Sequence, residues 1–349
     1  MRIAVDVMGG DHGPGVVVEG ALLALHRFRS IRQLILVGRE DDIRQALGPR
    51  VADPRLAIHP ASEVLGMDEK PLAALRRKKD CSIRKAVELL RHGEADALIS
   101  PGNTGGVVAA STIRLRPLPG VDRPAIGTII PAPENDFLLL DAGANVECRP
   151  WHLLQFALMG SAYAAEVMHL PHPRVGLLSI GTEDVKGNEL TQEAFKLCRR
   201  ADINFIGNVE GHDLFLNRVD VVVCDGFTGN IVLKTCEGLA TGLFRWIKRE
   251  LSRSPKRAVG ALLAKGAFIS IKDRIDPEAH GGAPLLGLKG HVVIAHGSSR
   301  QHAIMNAIRQ AVEAVRTHFN QILARHIQAA RALEPAAAPA PLSNTPTTS

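Results

Sequence analysis

The sequence predicts an α/β fold with three layers, helices covering both faces of a largely parallel sheet. Three observations carry that expectation. Short apolar runs ending in glycine or small polar residues alternate with helical patterns along the chain. Hydrophobic residues make up 46% of the 349, whereas aromatics supply only 4%, which is the Val/Ile/Leu/Ala core of a sheet buried on both sides. Glycine-rich loops recur just after the apolar runs, where open α/β sheets bind ligands.

Strands are expected at residues 3–8, 34–37, 97–100, 126–130, 137–140, 175–180, 219–224 and 292–295. Residues 151–170 are long and apolar but carry His152, Gln155, Glu166 and His169, so they read as a buried helix and not a membrane span. A last helix is expected over residues 299–328, with Ile304, Ile308, Val312, Val315 and Phe319 at helical spacing. Residues 1–328 then form one α/β domain. The Ala/Pro/Thr/Ser tail over 329–349 has too little apolar surface to offset ordering and is expected to be disordered.

Composition narrows the function classes. Five cysteines are scattered without a CxxC pair, which speaks against a disulfide framework or a zinc knuckle. The N-terminus lacks a charged-then-apolar leader, so a cytoplasmic protein is expected. The net charge of +6 is concentrated in residues 239–274, which hold nine Lys/Arg against Glu250 and Asp273. The remainder has 33 basic against 34 acidic residues. Leu239, Leu243, Trp246, Ile247 and Leu251 recur at helical spacing there, Pro255 interrupts, and a second apolar stretch follows. A basic amphipathic helical hairpin is expected, one that meets an anionic membrane surface, an acidic protein or a dimer partner. No nucleic-acid motif accompanies the patch.

Six loop regions carry the chemistry. The first strand runs into Asp6, Gly9, Gly10 and Asp11 before Pro14, without the spacing of a dinucleotide fingerprint. The third enters a helix through Gly102, Asn103, Thr104 and Gly105, whose backbone N–H groups suit an anion or an ordinary cap. Asp141 to Asn145 follow the fifth. Thr182, Glu183 and Lys186 lie in a glycine-flanked loop after the sixth, and the lysine is a natural phosphate partner. Gly229, Asn230 and Lys234 open the helix after the seventh, with Asn230 and Lys234 four apart on one face. The sixth region joins residues 281–287 to His296 and Ser298, where the histidine serves as proton donor, base or structural hydrogen-bonder.

Taken together, the strings VDVMGGDHGPG, ISPGNTGG, DAGANVECRP, GTEDVKGNEL, CDGFTGNIVLK and GGAPLLGLKG resemble the signature blocks of the PlsX family of phosphate acyltransferases. The resemblance spans residues 2–319; Pro101 departs from the smaller residue usual before that glycine. It implies a fold similar to phosphotransacetylase and to isocitrate/isopropylmalate dehydrogenases. It also implies a homodimer, acyl transfer from acyl carrier protein to inorganic phosphate at the start of phospholipid synthesis, and delivery to a membrane glycerol-3-phosphate acyltransferase. The protein would then sit peripherally on the inner face of the cell membrane.

Such a reaction needs phosphate aligned with a thioester carbonyl and stabilisation of the oxyanion, which positioning and electrostatics supply. Lys186, Asn103, Asn230, Lys234 and His296 are therefore the expected catalytic groups. Asp6, Gly9, Gly10, Asp11, Gly102, Thr104, Gly105, Asn145, Thr182, Glu183, Gly229 and Ser298 are the expected substrate contacts. No cysteine lies in a glycine-rich loop beside a base, which favours direct attack by phosphate over an acyl-enzyme. No HExxH or DxDxDG motif occurs, so no metal or cofactor is expected. A CoA-dependent phosphotransacetylase and, further off, a metal-dependent decarboxylating dehydrogenase stand as alternatives.

Overall fold

The computed structural model describes residues 1–275 and 281–334. In chain order its elements are β1 (Arg2–Asp6), α1 (Pro14–Arg27), β2 (Gln33–Gly38), α2 (Glu40–Leu47), β3 (Leu56–Pro60), α3 (Pro71–Arg77), α4 (Ser82–Arg91) and β4 (Ala97–Ser100). Next come α5 (Thr104–Arg114), β5 (Ala125–Ile130), β6 (Phe137–Leu140), α6 (Pro150–Glu166), β7 (Val175–Leu178), α7 (Glu189–Cys198), β8 (Phe205–Val209) and β9 (Val221–Val223). The chain continues through α8 (Gly226–Leu251), α9 (Pro255–Leu263), α10 (Lys265–Ile275), β10 (Ala283–Leu286), β11 (His291–Ile294), α11 (Gln301–Arg316) and α12 (Phe319–Ala330).

The strands form one sheet in the order β3-β2-β1-β4-β11-β10-β5-β6-β9-β7-β8. Strand alternation explains its three layers. In the first half Ile3, Val5, Ala97 and Ile99 face α1 and α11, while Ala4 and Leu98 face α4 and α5. In the second half Leu138, Leu140, Val221 and Val223 face α6 and α12, while Phe137, Leu139 and Val222 face the opposite side. The expected buried helix is α6, whose His152 and Gln155 are buried with its apolar residues.

Pairing is parallel within each half and antiparallel at β11–β10, β10–β5 and β5–β6. Three successive reversals leave the two halves running in opposite directions. β5 serves both: Ile126 pairs with Leu285 of β10, and the next residue, Gly127, pairs with Leu140 at the end of β6. Since Ile294 of β11 pairs with Ala283 of β10, the carboxyl ends of β11 and β6 face each other across the middle of β5. The loops after β4 and β11 therefore face the loop after β6, with the loop after β1 on the outer side of the first half and those after β9 and β7 further along the second.

Three strands escaped the sequence reading. β3 and β8 are edge strands, so they lack the full apolar run of a central one; β3 ends in Pro60 and β8 contains Gly207 at φ 100°. β10 contains Pro284, which argues against a strand interior. The expected helix over 299–328 is two helices, because His318 takes φ 55° between α11 and α12. The first strand stops at Asp6, where its carboxylate accepts from Met8 N–H at 3.1 Å and turns the chain. The hairpin's first limb is the end of α8, Pro255 opens a new helix, and the second limb is divided into α9 and α10. Of the predicted tail, residues 335–349 lie outside the described residues, and 329–334 close α12 with a single 3₁₀ turn.

His291 opens β11, with its ring tilted against Phe319 at a centroid distance of 6.4 Å. It keeps some solvent contact, yet burial of the imidazole pushes its pKa down to about 4 from 6.5. The folded protein thus binds fewer protons at this site than the unfolded chain between those values, so stability is lost as the pH falls through that window. The urea midpoint of the native protein should fall more steeply from pH 6.5 to pH 4 than that of His291→Gln.

Candidate functional site

Two sets of loops meet at the facing carboxyl ends. In the first, Asp6 is fully buried and accepts from Ser100 Oγ at 2.7 Å, and Ser100 Oγ accepts in turn from Gly102 N–H at 3.1 Å. This relay ties the loop after β1 to the loop after β4. Burial raises the Asp6 pKa, against the hydrogen bonds from Ser100, Ser82 and Met8. The two loops touch so closely that a Cβ on Gly9 would lie 2.3 Å from Gly102 Cα. The loop after β11 closes over them, with Asp11 N–H donating to Gly297 O at 2.8 Å.

Asn103 is the N-cap of α5, its Oδ1 accepting from Gly106 N–H at 2.9 Å. Its Nδ2 donates to Met67 O at 2.8 Å and lies 3.3 Å from Gly66 O. Both ends of the side chain are thus engaged by protein. Thr104 and Gly105, the first two helical residues, are exposed, and their N–H groups meet no acceptor among the described residues. His296 and Ser298 are exposed beside them. His296 Nδ1 lies 2.7 Å from Ser298 Oγ and accepts from Ser298 N–H at 3.2 Å, which leaves the Nε2 side of the ring outward.

The second set is organised by Asp141. Its Oδ1 accepts from the N–H groups of Ile126, Gly143 and Ala144 at 3.0, 3.1 and 3.0 Å. Its Oδ2 accepts from Asn145 N–H at 2.7 Å and Asn145 Nδ2 at 2.9 Å. Burial pushes this carboxyl upward as well, against those donors. Asn145 is buried and also donates to Pro124 O, while Gly226 N–H donates to Asn145 O at 2.8 Å, binding the start of α8 to the same loop. Asp225 caps α8 through Thr228 N–H at 2.9 Å. Gly229 packs on the loop itself: a Cβ there would fall 2.0 Å from Asp141 O.

Asn230 is exposed next to Gly143, whose added Cβ would lie 3.6 Å from Asn230 Cβ. Lys234 stands two turns into α8, which begins at Gly226, and pairs with Glu237 at 2.8 Å. The loop after β7 exposes Thr182, Glu183 and Lys186. It is anchored through its backbone, since Asn208 Nδ2 and Lys186 N–H both donate to Glu183 O. The Lys186 ammonium has no hydrogen bond or ion pair among the described residues.

The candidates thus separate by environment. Asp6, Asn103, Asn145, Gly9, Gly102 and Gly229 join loops to one another. Asp11, Thr104, Gly105, Thr182, Glu183, Lys186, Asn230, His296 and Ser298 are exposed, and Gly10, in the loop after β1, packs against Gly297 and Pro101. Ser100 and the segment holding Gly66 and Met67 were missed; only a bond to a residue distant in sequence marks them. Among the described residues one group has metal-ligand spacing, Glu210, His212 and Asp213, after β8. Asp213 already accepts there from Glu210 N–H and from Arg218. The cysteines hold no activated thiol: burial raises Cys148 to about 11 and Cys224 well above its ordinary value.

This sheet order, with glycine loops facing each other across the reversals, defines a three-layer α/β fold that solved phosphotransacetylases share. A phosphotransacetylase from Streptococcus pyogenes superposes with a TM-score of 0.59 over 90% of this chain and 94% of its own, at 17% identity. The EutD phosphotransacetylase from Staphylococcus aureus gives 0.57 over 90% and 94%, at 15% identity. Likeness at that identity concerns the fold alone. Sequence comparison goes further: the model of a family described as fatty acid synthesis protein matches residues 1–322. A phosphate acyltransferase of Desulfitobacterium hafniense is 50% identical over 91% of this chain and 95% of its own, and one of Heliobacterium modesticaldum 50% over 94% and 98%. The chain belongs to this family, the PlsX phosphate acyltransferases.

Close packing at Gly229 makes a sharp test. Gly229→Ala should cost about 1–3 kcal/mol in urea unfolding, since the carbonyl it meets is backbone. Gly238→Ala, on the same helix with nothing within 4 Å, should instead stabilise by about 0.5–1 kcal/mol.

Proposed function

We infer that this protein is a transferase that moves an acyl group from a thioester onto inorganic phosphate, an early step of phospholipid synthesis. The family membership carries the reaction class. The observations that support its chemistry here are the exposed Lys186 ammonium, without an ion pair among the described residues, in the glycine loop after β7, and the exposed N–H groups of Thr104 and Gly105 that open α5 after β4. A phosphate oxygen attacks the thioester carbonyl, the tetrahedral oxyanion collapses, and the C–S bond breaks. Acyl phosphate and a thiolate result, and the thiolate takes up the proton released by phosphate.

In this reading Lys186 and the N–H groups of Thr104 and Gly105 hold phosphate by charge and helix-terminal donors. Asn230, exposed at the start of α8, faces the thioester oxygen. His296 offers its Nε2 edge to the departing sulfur. Asn103 positions α5 and the 66–69 segment through its cap and its bonds to Gly66 and Met67. Lys234 reaches a ligand only by leaving Glu237. No metal or organic cofactor enters this scheme. The donor is proposed to be acyl carrier protein; acyl-CoA is the competing donor, and both are compared directly in the assay. Lys186→Ala should lower turnover at least tenfold, the usual loss for a positioned electrostatic group. A folded Lys186→Ala enzyme with unchanged phosphate kinetics would remove that residue from the site.

The segment from Leu239 to Arg274 suits the membrane where an acyl phosphate would be consumed. Trp246, Val259, Leu262, Leu263 and Ile269 are exposed there, and α9 and α10 bury no residue. Arg245, Lys248, Arg249, Lys256, Lys265 and Lys272 have no ion pair among the described residues. Each cation near an anionic leaflet contributes about 1 kcal/mol. No described helix is long and apolar enough to cross a membrane, so attachment would be peripheral. Flotation with anionic liposomes should show binding at low salt, less at high salt and little for Trp246→Glu. If native protein never floats and that variant instead dissociates a homodimer, the surface is a subunit interface.

A further inference from the structure

The segment between β3 and α4 is a self-fastened platform at the rim of the site. Asp80 Oδ2 accepts from Ser62 N–H at 2.8 Å and Ser62 Oγ at 2.7 Å, and Glu63 Oε2 accepts from Asp80 N–H at 2.9 Å. Lys78 Nζ donates to Val64 O at 2.6 Å and pairs with Glu69 at 2.5 Å, while Arg77 takes the other oxygen of Glu69. Asp80 also pairs with Lys85 at 3.0 Å, and the exposed Asp68 has no ion pair among the described residues, so it does not bind a cation of this segment. Fixed partners therefore occupy the carboxylates at positions 69 and 80. Lys70, Arg76 and Lys79 are exposed and have no ion pair among the described residues.

These three cations stand with Leu72 and Met67, which are 54% and 47% exposed. Leu72 and Arg76 lie four apart on α3, opposite the buried Ala74, so the outward face joins an apolar side chain to a cation. The platform touches the loops after β4 and β11 at three points. Asn103 Nδ2 donates to Met67 O, and a Cβ on Gly105 would lie 2.8 Å from Pro71 Cγ. Met67 Cε also borders Gly297, 3.1 Å from the position of an added Cβ.

We propose that the outer face of this platform, formed by Lys70, Arg76 and Lys79 around Leu72, docks the acidic carrier protein that delivers the thioester. The inference rests on the donor reading above and deepens it. Charge complementarity selects the partner: three unneutralised cations held on a rigid support attract an acidic protein and set its orientation. Proximity selects this patch over the more basic one. Arg245, the first cation of the distal segment, lies roughly 28 Å along α8 from Gly226 at 1.5 Å per residue. α3 begins against Gly105.

The test is the charge-reversed K70E/R76E/K79E enzyme, with its thermal unfolding compared first with native. Two donors are used, acyl carrier protein thioester and the small neutral acyl-N-acetylcysteamine thioester. The expected result is a rise of about tenfold or more in KM for the carrier donor, with the small donor and phosphate unchanged, as rim charges act on encounter. The native KM for the carrier donor should also climb with NaCl, and that of the variant should not. An unchanged carrier KM overturns the proposal, as does finding the effect only in R245E/K248E/R249E. A native enzyme that turns over the small thioester but not the carrier donor sinks the donor reading itself, and this inference with it.

Discussion

Everything at the centre of this molecule hangs on the buried carboxylate of Asp141. Five N–H groups converge on it, from β5, from the loop after β6 and from Asn145. Hydrogen bonds to a charged acceptor are each worth more than neutral ones, and an unpaired donor in this setting would be costly. The arrangement joins the strand that spans both halves of the sheet to the loop that carries α8. Asn145 O then receives Gly226 N–H, and Gly229 comes within contact of Asp141 O, so the start of the longest helix is placed by the same group. Asp6 acts alike in the other half, through Ser100, with fewer donors.

Both carboxyls sit above their ordinary pKa because burial outweighs the donors around them. Such groups are common at functional sites, but here their oxygens face inward and are engaged. Their work is geometric: they fix the glycine loops at the carboxyl ends of β1, β4 and β6. The exposed set combines backbone donors, hydroxyls, an amide and one lysine with Asp11, Glu183 and His296. Donors already in place can stabilise charge that develops on a bound group without reorganising.

Charge is distributed to match. The distal helices α8 to α10 carry apolar side chains and unpaired cations together, whereas around α3 the carboxylates of Glu69 and Asp80 are already paired and Lys70, Arg76 and Lys79 have no ion pair among the described residues. Overall charge conceals the second patch entirely, since residues outside 239–274 are nearly balanced.

What the sequence alone determined was what depends on local pattern. The parallel α/β layering followed from apolar runs that end in glycine. β4 and β6 matched at both ends, because central strands are apolar throughout and punctuated sharply. The loop blocks identified the family, since their spacing survives in the chain order. Tertiary structure decided the rest. Edge strands β3 and β8 and the proline-bearing β10 had no local signature, and β10 is what reverses the sheet and brings two sets of loops together. It also separated the candidates: Asn103 and Asn145 are buried between loops while Lys186 and Asn230 stand free. Residues of one type in similar glycine-rich strings cannot be told apart along the chain, because burial and hydrogen-bond partners come from segments tens of residues away.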